Sequence, residues 1–443
     1  GARKRRPEEI MMRIVRVRRD DSEVLREVDR LTVADASISA DVVDAAAAIA
    51  RDVRARGDDA LVEYSAKFDG YTLVPDMVRV SADDIQRLAS AADPALVEIM
   101  RKAIRNIREF HEQQRDESWE YYAGDGVRLG LRVTPLESVG VYVPGGKAAY
   151  PSSVLMNVVP AQVAGVGRIV VATPPRLFEE NPSIAAALDL LRIDEIYRVG
   201  GAQAIAALAY GTQSIRRVDK IVGPGNAYVQ ASKRLVYGSV DIDMMAGPSE
   251  VAVIADESCD PDWIAADLLA QAEHDELAGA WMVCWSDSVA AAAVEAVETG
   301  LNTLERNAIA RRAIESRGAV FVVDNEDAAV EFVNRIAPEH VEVLMAEPDR
   351  VADRIRNAGA LFVGRYAPTP VGDYFAGPSH VLPTGRSARF FSPLGVPDFL
   401  KRTSVIRYSG RAIERFGEAI EGFATAEGLT GHAKAISVRR HQS

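Results

Sequence analysis

One local pattern constrains the fold of this chain more than any other: short apolar segments that end in a glycine or proline turn and lead into an alanine-rich helix. From Leu136 onward this pattern occurs four times, in ESVGVYVPGG, GRIVVATPP, EIYRVGG and DKIVGPGN. Repeated strand, tight turn and helix predict a parallel sheet with right-handed crossover connections. We therefore expect a nucleotide-binding-like α/β domain at about residues 140 to 250.

A second series of apolar segments predicts another open α/β domain; its strands are EVAVIAD, AWMVCWS, AVFVVD, HVEVLM and ALFVG. Residues 20 to 118 have helical periodicity, and a strand near SVIRYS precedes a helical tail. The predicted fold class is α/β, with two Rossmann-like open parallel-sheet domains, a helical N-terminal part and a small C-terminal helical tail. The GxGxxG fingerprint of the commonest dinucleotide-binding fold does not occur.

Composition narrows the range of partners. The net charge of −12 and the pI of about 5.2 disfavour nucleic acid and anionic membrane surfaces as partners. No apolar run approaches the roughly 18 residues that a membrane span needs. Two cysteines cannot form a disulfide framework, so we expect a cytoplasmic protein without nucleic-acid or membrane partners.

The basic segment RKRRPEEIMMRIVRVRR departs from this acidic balance, with eight Arg or Lys between residues 3 and 19. A nucleic-acid arm, a transit peptide and a cloning remnant are possible interpretations. The acids Glu8 and Glu9 and the short apolar run argue against a targeting signal. We expect a solvated, functionally neutral segment.

The segment AQAEHDELAG raises the first chemical question, because Gln271 and His274 continue the apolar face of a predicted helix at i and i+3. A buried polar pair is the simplest explanation. However, the rigid loop PTPVGDYFAGPSH presents Asp373 and His380, and LTGHAK presents His432. Two imidazoles, a carboxylate and an amide oxygen suit a zinc-type ion that holds substrate or acts as a Lewis acid.

Proton transfer is predicted for Glu339 and His340, an adjacent acid and imidazole that open the strand HVEVLM. The alternative is a helix-ending turn with exposed charges. Cys259 and Cys284 are predicted to be structural, because burial and neighbouring acids raise a thiol pKa and quench its reactivity.

Eight segments, in order between about Val24 and Val438, resemble the histidinol dehydrogenase family: GVYVPGGKAAYPSSVLMN, GGAQAIAALAYGT, KIVGPGN, AGPSEV, AQAEHD, APEH, VGDYFAGPSHVLPT and EGLTGHA. The resemblance implies NAD-dependent oxidation of L-histidinol to L-histidine through L-histidinal. These are the last steps of histidine biosynthesis, carried out by two hydride transfers in a zinc-bearing homodimer. Only the basic N-terminus departs from the family pattern.

The resemblance also implies roles for individual residues. The implied zinc ligands, which also contact the zinc-anchored substrate, are Gln271, His274, Asp373 and His432. Glu339 and His340 are the implied catalytic pair, and His340 also contacts substrate. Further substrate contacts are implied for Ser249 and Glu427, and less directly for His380. Cofactor contacts are implied for Tyr142, Gln203 and Asn226. The tail that carries Glu427 and His432 is expected to complete the partner subunit's active site.

We expect the following domain division. Residues 1–39 form an arm that packs with 394–420. Residues 40–141 and 251–393 form a first α/β domain with the metal and catalytic residues. Residues 142–250 form a second α/β domain on the NAD-binding side, and 421–443 form the tail.

Two other functions are consistent with the same residues. A metal-dependent hydrolase would use the same ligands with Glu339 as base, and a zinc-stabilised dimer would bind a small amine without catalysis. Reduction of NAD in the presence of histidinol distinguishes an oxidoreductase from the hydrolase. Loss of folding on chelation would favour the non-catalytic dimer.

Overall fold

The computed structural model describes residues 12–18, 21–33, 38–145 and 150–440. Its N-terminal region is mainly helical, as predicted. The elements in this region are β1 (Arg13–Arg16), α1 (Ser22–Thr32), α2 (Ala40–Arg56), α3 (Asp58–Tyr64), α4 (Ala82–Ala89) and α5 (Pro94–Glu112). Asp21 and Asp93 begin α1 and α5 by accepting hydrogen bonds from backbone N–H groups of the first turn.

The next part of the chain contains a β-hairpin and the first α/β series. The hairpin strands are β2 (Trp119–Gly124) and β3 (Val127–Pro135), which the sequence analysis did not predict. The α/β series is β4 (Ser138–Tyr142), α6 (Pro151–Ala164), β5 (Arg168–Thr173), α7 (Pro175–Glu180), α8 (Pro182–Leu190), β6 (Ile196–Arg198), α9 (Gly201–Tyr210), β7 (Lys220–Val222), α10 (Ala227–Val236) and β8 (Asp241–Ile242).

The second α/β series and the tail complete the chain. The series is β9 (Glu250–Ala255), α11 (Pro261–Ala272), β10 (Gly279–Cys284), α12 (Asp287–Leu301), α13 (Asn307–Arg317), β11 (Ala319–Val322), α14 (Glu326–Ile336), β12 (His340–Leu344), α15 (Asp349–Ala352), β13 (Ala360–Val363) and α16 (Thr369–Tyr374). The tail elements are β14 (Leu400–Tyr408), α17 (Gly410–Ala426) and α18 (Thr430–Arg440).

Two of the three sheets are entirely parallel. The five-stranded sheet has the order β6-β5-β4-β7-β8, and the six-stranded sheet has the order β1-β11-β10-β9-β12-β13. In both, the chain order reverses beside the first strand of the series, which is the arrangement of open doubly wound sheets. Strands β4, β9 and β10 are buried along their whole length, which explains why their sequences are mainly apolar.

The remaining sheet is antiparallel, with the order β14-β3-β2. Residues 400–408 pair with 127–135, so the C-terminal strand joins a hairpin about 270 positions earlier in the chain. Its surface carries exposed large apolar side chains, among them Trp119, Tyr122 and Ile406.

The expectation of a solvated N-terminal segment is wrong for Arg13–Arg16. This segment forms β1 and pairs in parallel with β11, from Arg13 beside Ala319 to Arg16 beside Val322. The backbone groups at the edge of β11 gain partners in this way, and the side chains of β1 alternate between half-buried and exposed, with Val15 half-buried. Residues 3–11 and 19 of that basic segment lie outside the described residues.

The N-terminal helices pack mainly on the five-stranded sheet. Ile49 and Leu61 share a core with Tyr142 and Ile205, on the face that α9 covers. On the opposite face α4 and α5 pack with α6 and α8. By contrast, α1 packs on the six-stranded sheet. The domain boundaries given above stay a prediction, and these contacts favour grouping residues 40–112 with the five-stranded sheet.

None of the described helices combines the length and the apolar character that crossing a bilayer requires.

Candidate active site

A cavity of about 490 Å³ lies between the two parallel sheets. Eight of the predicted site residues line it: Asn226, Ser249, Gln271, His274, Glu339, His340, Asp373 and His380. The five-stranded sheet reaches the cavity with the loops that follow β4, β7 and β8. The six-stranded sheet reaches it with the residues that precede or begin β9 and β12. The cavity therefore joins the carboxyl edge of one sheet to the amino edge of the other.

His340, the first residue of β12, is held in one tautomer. Its Nδ1 lies 2.9 Å from the backbone carbonyl of Glu250, and a carbonyl oxygen only accepts, so Nδ1 carries the hydrogen. Nε2 is buried, has no hydrogen-bond partner among the described residues and lies 3.7 Å from Asp373 Oδ1. When the ring is neutral, its unshared electron pair is at Nε2, on the side of Asp373.

Glu339 is buried beside His340. Its Oε2 accepts a hydrogen bond of 2.8 Å from the backbone N–H of Glu250 and lies 3.5 Å from His340 Nδ1. Burial raises the pKa of Glu339 to about 7, although the neighbouring imidazole opposes this shift. A carboxyl group with such a pKa can take up or release a proton near neutral pH.

The charge on His340 is set by opposing effects. Burial disfavours the imidazolium, but the carboxylates of Glu339 and Asp373 outweigh it and raise the pKa of His340 to about 9. At neutral pH the ring is therefore mostly in the imidazolium form, beside the carboxyl groups of Glu339 and Asp373.

The turn before this pair is strained. Ala337 has φ of 46°, in the left-handed region, and Pro338 follows it. Left-handed backbone at a residue with a side chain costs roughly 1–2 kcal/mol. The position allows α14 to end while Glu339 and His340 enter the cavity wall, a strain of the kind found at functional sites.

Three of the four predicted ligands lie on or just after α11 and α16. Gln271 is buried in the last turn of α11. This helix ends at Ala272, so His274 lies just beyond it rather than on it; a hydrogen bond from its backbone N–H to the Gln271 carbonyl keeps the two residues close. Asp373 lies on α16. The preceding Gly372 packs so tightly that a Cβ atom would stand 2.7 Å from the Phe362 ring.

His380 supports the loop that carries Asp373. Its Nδ1 lies 3.0 Å from the Asp373 backbone carbonyl, so Nδ1 is the protonated nitrogen. Burial lowers the pKa of His380 and favours a neutral ring.

A single chain supplies only some of the ligands that a zinc ion needs. Among the described residues no group of three or more His, Cys, Asp or Glu side chains is arranged to hold a metal ion. The predicted set supplies only two such side chains from the cavity wall, His274 and Asp373, together with the amide of Gln271. Imidazole, carboxylate and amide are suitable zinc donors, and tetrahedral coordination would need one more ligand from outside this wall.

The predicted fourth ligand lies elsewhere in the chain. His432 is exposed on α18, and Glu427 is exposed at the end of α17; neither lines the cavity. Within a single chain the structure does not bring these two residues to the other candidates.

The predicted cofactor residues lie at the carboxyl edge of the five-stranded sheet. Tyr142 ends β4, and its hydroxyl accepts a hydrogen bond from the backbone N–H of Gly201. Gln203 is buried in the first turn of α9. Asn226 begins α10 and accepts hydrogen bonds from the N–H groups of Tyr228 and Val229. Of the three predicted residues, only Asn226 lines the cavity.

The loop between β7 and α10 depends on glycine. Gly223 has φ of 112°, and a Cβ atom there would lie 2.2 Å from the Tyr142 carbonyl oxygen. A buried ion pair supports the loop, because Lys233 donates both to Asp243 and to the Gly223 carbonyl. This pair was not predicted, since a Lys and an Asp ten positions apart form no recognisable motif.

Glu250 was also missed, although AGPSEV was singled out for Ser249. Its backbone N–H and carbonyl orient Glu339 and His340, respectively. Its buried carboxylate contacts Arg317 at 3.3 Å. The only sequence signal is an acid at the start of an apolar strand.

The two thiols have the environments that were predicted. Cys284 is fully buried, and burial raises its pKa. Burial, followed by the nearby carboxylate of Asp267, raises the pKa of Cys259 to about 11. Neither sulfur lines the cavity.

Comparison with known proteins is consistent across sequence and structure. The family model described as histidinol dehydrogenase matches residues 33–440. The chain is 54% identical to histidinol dehydrogenase of Geobacillus kaustophilus (strain HTA426) over 392 residues, which is 88% of this chain and 92% of that protein. It is 51% identical to histidinol dehydrogenase of Bacillus subtilis (strain 168) over 395 residues, 89% of this chain and 92% of that protein. The crystal structure of histidinol dehydrogenase from Elizabethkingia anophelis superposes with a TM-score of 0.89 at 34% identity, covering 97% of this chain and 98% of that one.

Proposed function

The chain belongs to the histidinol dehydrogenase family, and on that premise we propose that it oxidises L-histidinol to L-histidine through L-histidinal with NAD as hydride acceptor. These would be the last steps of histidine biosynthesis. The observation that carries the proposal is the unpartnered Nε2 of His340 beside Asp373, in a cavity that also reaches the carboxyl edge of the five-stranded sheet.

His340 is proposed to remove the proton from the substrate hydroxyl as hydride passes to the nicotinamide. The hydrogen bond to the Glu250 carbonyl fixes one hydrogen on Nδ1, so the ring accepts the hydroxyl proton at Nε2 when it is neutral. Because the pKa of His340 is about 9, the neutral ring is the minor form at pH 7, and the first oxidation should become faster as the pH rises toward 9. In the second oxidation Glu339 is proposed to take a proton from the water that attacks the aldehyde. Its pKa of about 7 supports this role, because the carboxylate is then a base of useful strength at neutral pH.

Gln271, His274 and Asp373, with His432 of the partner subunit, are proposed to hold zinc. A bound zinc ion would supply a Lewis acid that anchors nitrogen donors of the substrate. The wall residues are proposed to orient the carbinol carbon toward the nicotinamide. Ser249 and His380, together with Glu427 of the partner subunit, are proposed as further substrate contacts. Holding the aldehyde between the two steps preserves orientation, an effect that can be worth ~7 kcal/mol of barrier or more.

Tyr142, Gln203 and Asn226 are proposed as cofactor contacts. They lie beside β4 and β7, where the strand order of the five-stranded sheet reverses and where open α/β sheets usually bind ligands. The N-termini of α9 and α10 point their backbone N–H groups toward this edge, which favours a pyrophosphate.

A homodimer with shared sites is proposed because Glu427 and His432 do not reach the cavity of their own chain. The exposed apolar side chains of Trp119, Tyr122 and Phe423 support burial against a second copy. A complementation experiment tests this arrangement. Two inactive variants, His340→Asn and His432→Ala, should recover about a quarter of the activity when mixed and allowed to exchange subunits, since half of the dimers would then hold one intact site. No recovery in confirmed mixed dimers would contradict sharing.

The stoichiometry of cofactor reduction tests the reaction itself. We expect two moles of NADH per mole of histidinol consumed. One mole would indicate release of the aldehyde, and none would overturn the proposal. Cys259→Ala and Cys284→Ala are the matched controls and should stay active, because neither thiol is required.

A further inference from the structure

Two acids that the proposed mechanism does not use lie next to the cavity wall. Glu342, in the middle of β12, is fully buried, and Asp267 is half-buried on α11. Glu342 Oε1 accepts two hydrogen bonds of 2.6 Å from Thr369, one from the backbone N–H and one from the hydroxyl. Its other oxygen, Oε2, is buried, and no N–H or hydroxyl group of the described residues donates to it.

Asp267 supplies the missing donor. Its carboxyl group is hydrogen-bonded to Glu342, and two carboxyl groups can share a hydrogen bond only when one is protonated. Glu342 Oε1 already accepts two hydrogen bonds from Thr369, and Oε2 faces no other donor of the described residues, so the geometry places the shared proton on Asp267. Burial, followed by repulsion from Glu342, raises the pKa of Asp267 to about 8, in the same direction. Both carboxyl oxygens of Glu342 then have hydrogen-bond partners, Asp267 on α11 and Thr369 on α16.

The contact between Asp267, Glu342 and Thr369 lies beside the residues of the candidate active site. Gln271 lies four residues after Asp267 on α11, and Asp373 lies four residues after Thr369 on α16; residues at this spacing share a helix face. On β12, His340 lies two residues before Glu342 and so points to the same face of the sheet. Across α11, β12 and α16, one row of side chains therefore consists of Asp267, Glu342 and Thr369. The neighbouring row of side chains, on the same three elements, consists of Gln271, His340 and Asp373.

We propose that Asp267 is a positioning residue whose protonated carboxyl, through Glu342 and Thr369, fixes α11 to α16 across β12 and so sets the separation of the metal-binding side chains. This inference deepens the proposed zinc site and rests on it. A charged carboxylate at position 267 would repel Glu342, and an apolar residue would leave the buried Glu342 oxygen without a donor. Only a neutral hydrogen-bond donor of similar length fulfils the role.

The test compares Asp267→Asn with Asp267→Ala in the purified full-length protein. The Asn amide donates permanently, so Asp267→Asn should bind zinc within about twofold of wild type. Asp267→Ala should bind roughly 10–100-fold more weakly, the usual effect of removing a group that orients metal ligands. Asp262→Ala, an exposed acid on the first turn of the same helix, is the matched control and should change nothing. Zinc dissociation constants are measured by competition with a chelator.

A second measurement does not depend on zinc. In the metal-free protein, amide hydrogen exchange over residues 369–374 should be about tenfold faster in Asp267→Ala than in wild type and unchanged in Asp267→Asn. Equal loss in Asn and Ala variants, or wild-type behaviour of Asp267→Ala in both measurements, would overturn the inference. If wild type fails to bind zinc, the proposed site fails, whereas the exchange data still decide whether Asp267 connects the two helices.

Discussion

The two parallel sheets have the same strand pattern but present opposite edges to the cavity. The five-stranded sheet contributes loops at the carboxyl ends of its strands, where Gly223 and Asn226 lie before the N-terminus of α10. The six-stranded sheet contributes the amino ends of β9 and β12 and the C-terminal end of α11. Because helix N-termini carry partial positive charge and C-termini partial negative charge, the first edge favours an anion and the second a cation.

This difference shows that topology alone does not locate a site. Ligands usually bind at the carboxyl edge of an open α/β sheet, and the predicted cofactor contacts on the five-stranded sheet follow this rule. The predicted metal ligands beside the six-stranded sheet do not follow it. The amino edge is suited to a cation because α11 ends there and brings Gln271 and His274 with it. On this basis we propose that the cofactor lies at the five-stranded sheet and the metal at the six-stranded sheet, and four experiments test this division.

The largest effect is expected for His340→Asn at the amino edge. Loss of the group that accepts the hydroxyl proton should slow histidinol oxidation by roughly 10²–10⁴-fold. Steady-state rates with histidinol and with histidinal as separate substrates measure the two steps. Glu339→Gln should slow histidinal oxidation more than histidinol oxidation, and Glu347→Gln, an exposed acid just after β12, should leave both unchanged. A His340 variant with normal alcohol oxidation would remove the proposed base.

The second experiment separates the two edges directly. Asp373→Asn should weaken zinc binding by at least about tenfold and leave the NAD dissociation constant unchanged. Asn226→Ala should do the reverse, weakening NAD binding without affecting zinc, since it removes the proposed cofactor contact and the cap of α10. Calorimetric titration of each ligand gives both constants. Loss of both ligands in either variant would mean that the edges do not act separately.

A third experiment tests the backbone of the cofactor edge. Gly223→Ala should lower the free energy of unfolding by about 3 kcal/mol, because its left-handed backbone and the nearby Tyr142 carbonyl both exclude a side chain. Gly238→Ala is the matched control, with φ of 97° but open space around the added Cβ atom. It should cost only ~1–2 kcal/mol. Equal losses in urea unfolding would show that the contact with Tyr142 is unimportant.

The smallest effect concerns acid stability. On the side of the five-stranded sheet, hydrogen bonds from Arg87 and Arg198 lower the pKa of Asp84 to about 2. Its stabilising contribution is complete above the unfolded pKa of 3.8 and is lost as pH falls through about 2. Asp84→Asn should cost about 0.5 kcal/mol at pH 7, because the group is partly exposed, and the cost should vanish at pH 2. Urea unfolding of both proteins at the two pH values checks this, and a pH-independent difference would contradict it.

The contribution of Glu339, beside the six-stranded sheet, to the free energy of unfolding should depend on pH in the opposite direction. Burial raises its pKa from 4.5 to about 7, so its contribution declines as pH rises between these values. Lowering the pH from 7 to 4.5 should therefore remove the cost of the buried Glu339 charge and leave the contribution of Asp84 unchanged.

Much of the secondary structure could be predicted because it is encoded locally. The strands around Val141 and Val253 are mainly apolar runs, whereas the strand around Val341 alternates valine with His340 and Glu342; all three form at the predicted places. Strand β1 was missed because its four residues are half arginine and gain stability only from pairing with β11. Strands β2, β3 and the full length of β14 were missed for the same reason, since they depend on partners distant in the chain.

By itself the sequence determined the residue types available for chemistry, their local geometry and the family to which the chain belongs. It placed Glu339 beside His340 and Gln271 near His274, because neighbours in sequence remain neighbours in space. That opposite edges of two similar sheets meet around one cavity, and that Thr369 donates two hydrogen bonds to the buried Glu342 beside it, depends on tertiary packing. These relationships arise from packing between segments far apart in the chain, and no local pattern records which side chains such packing brings together.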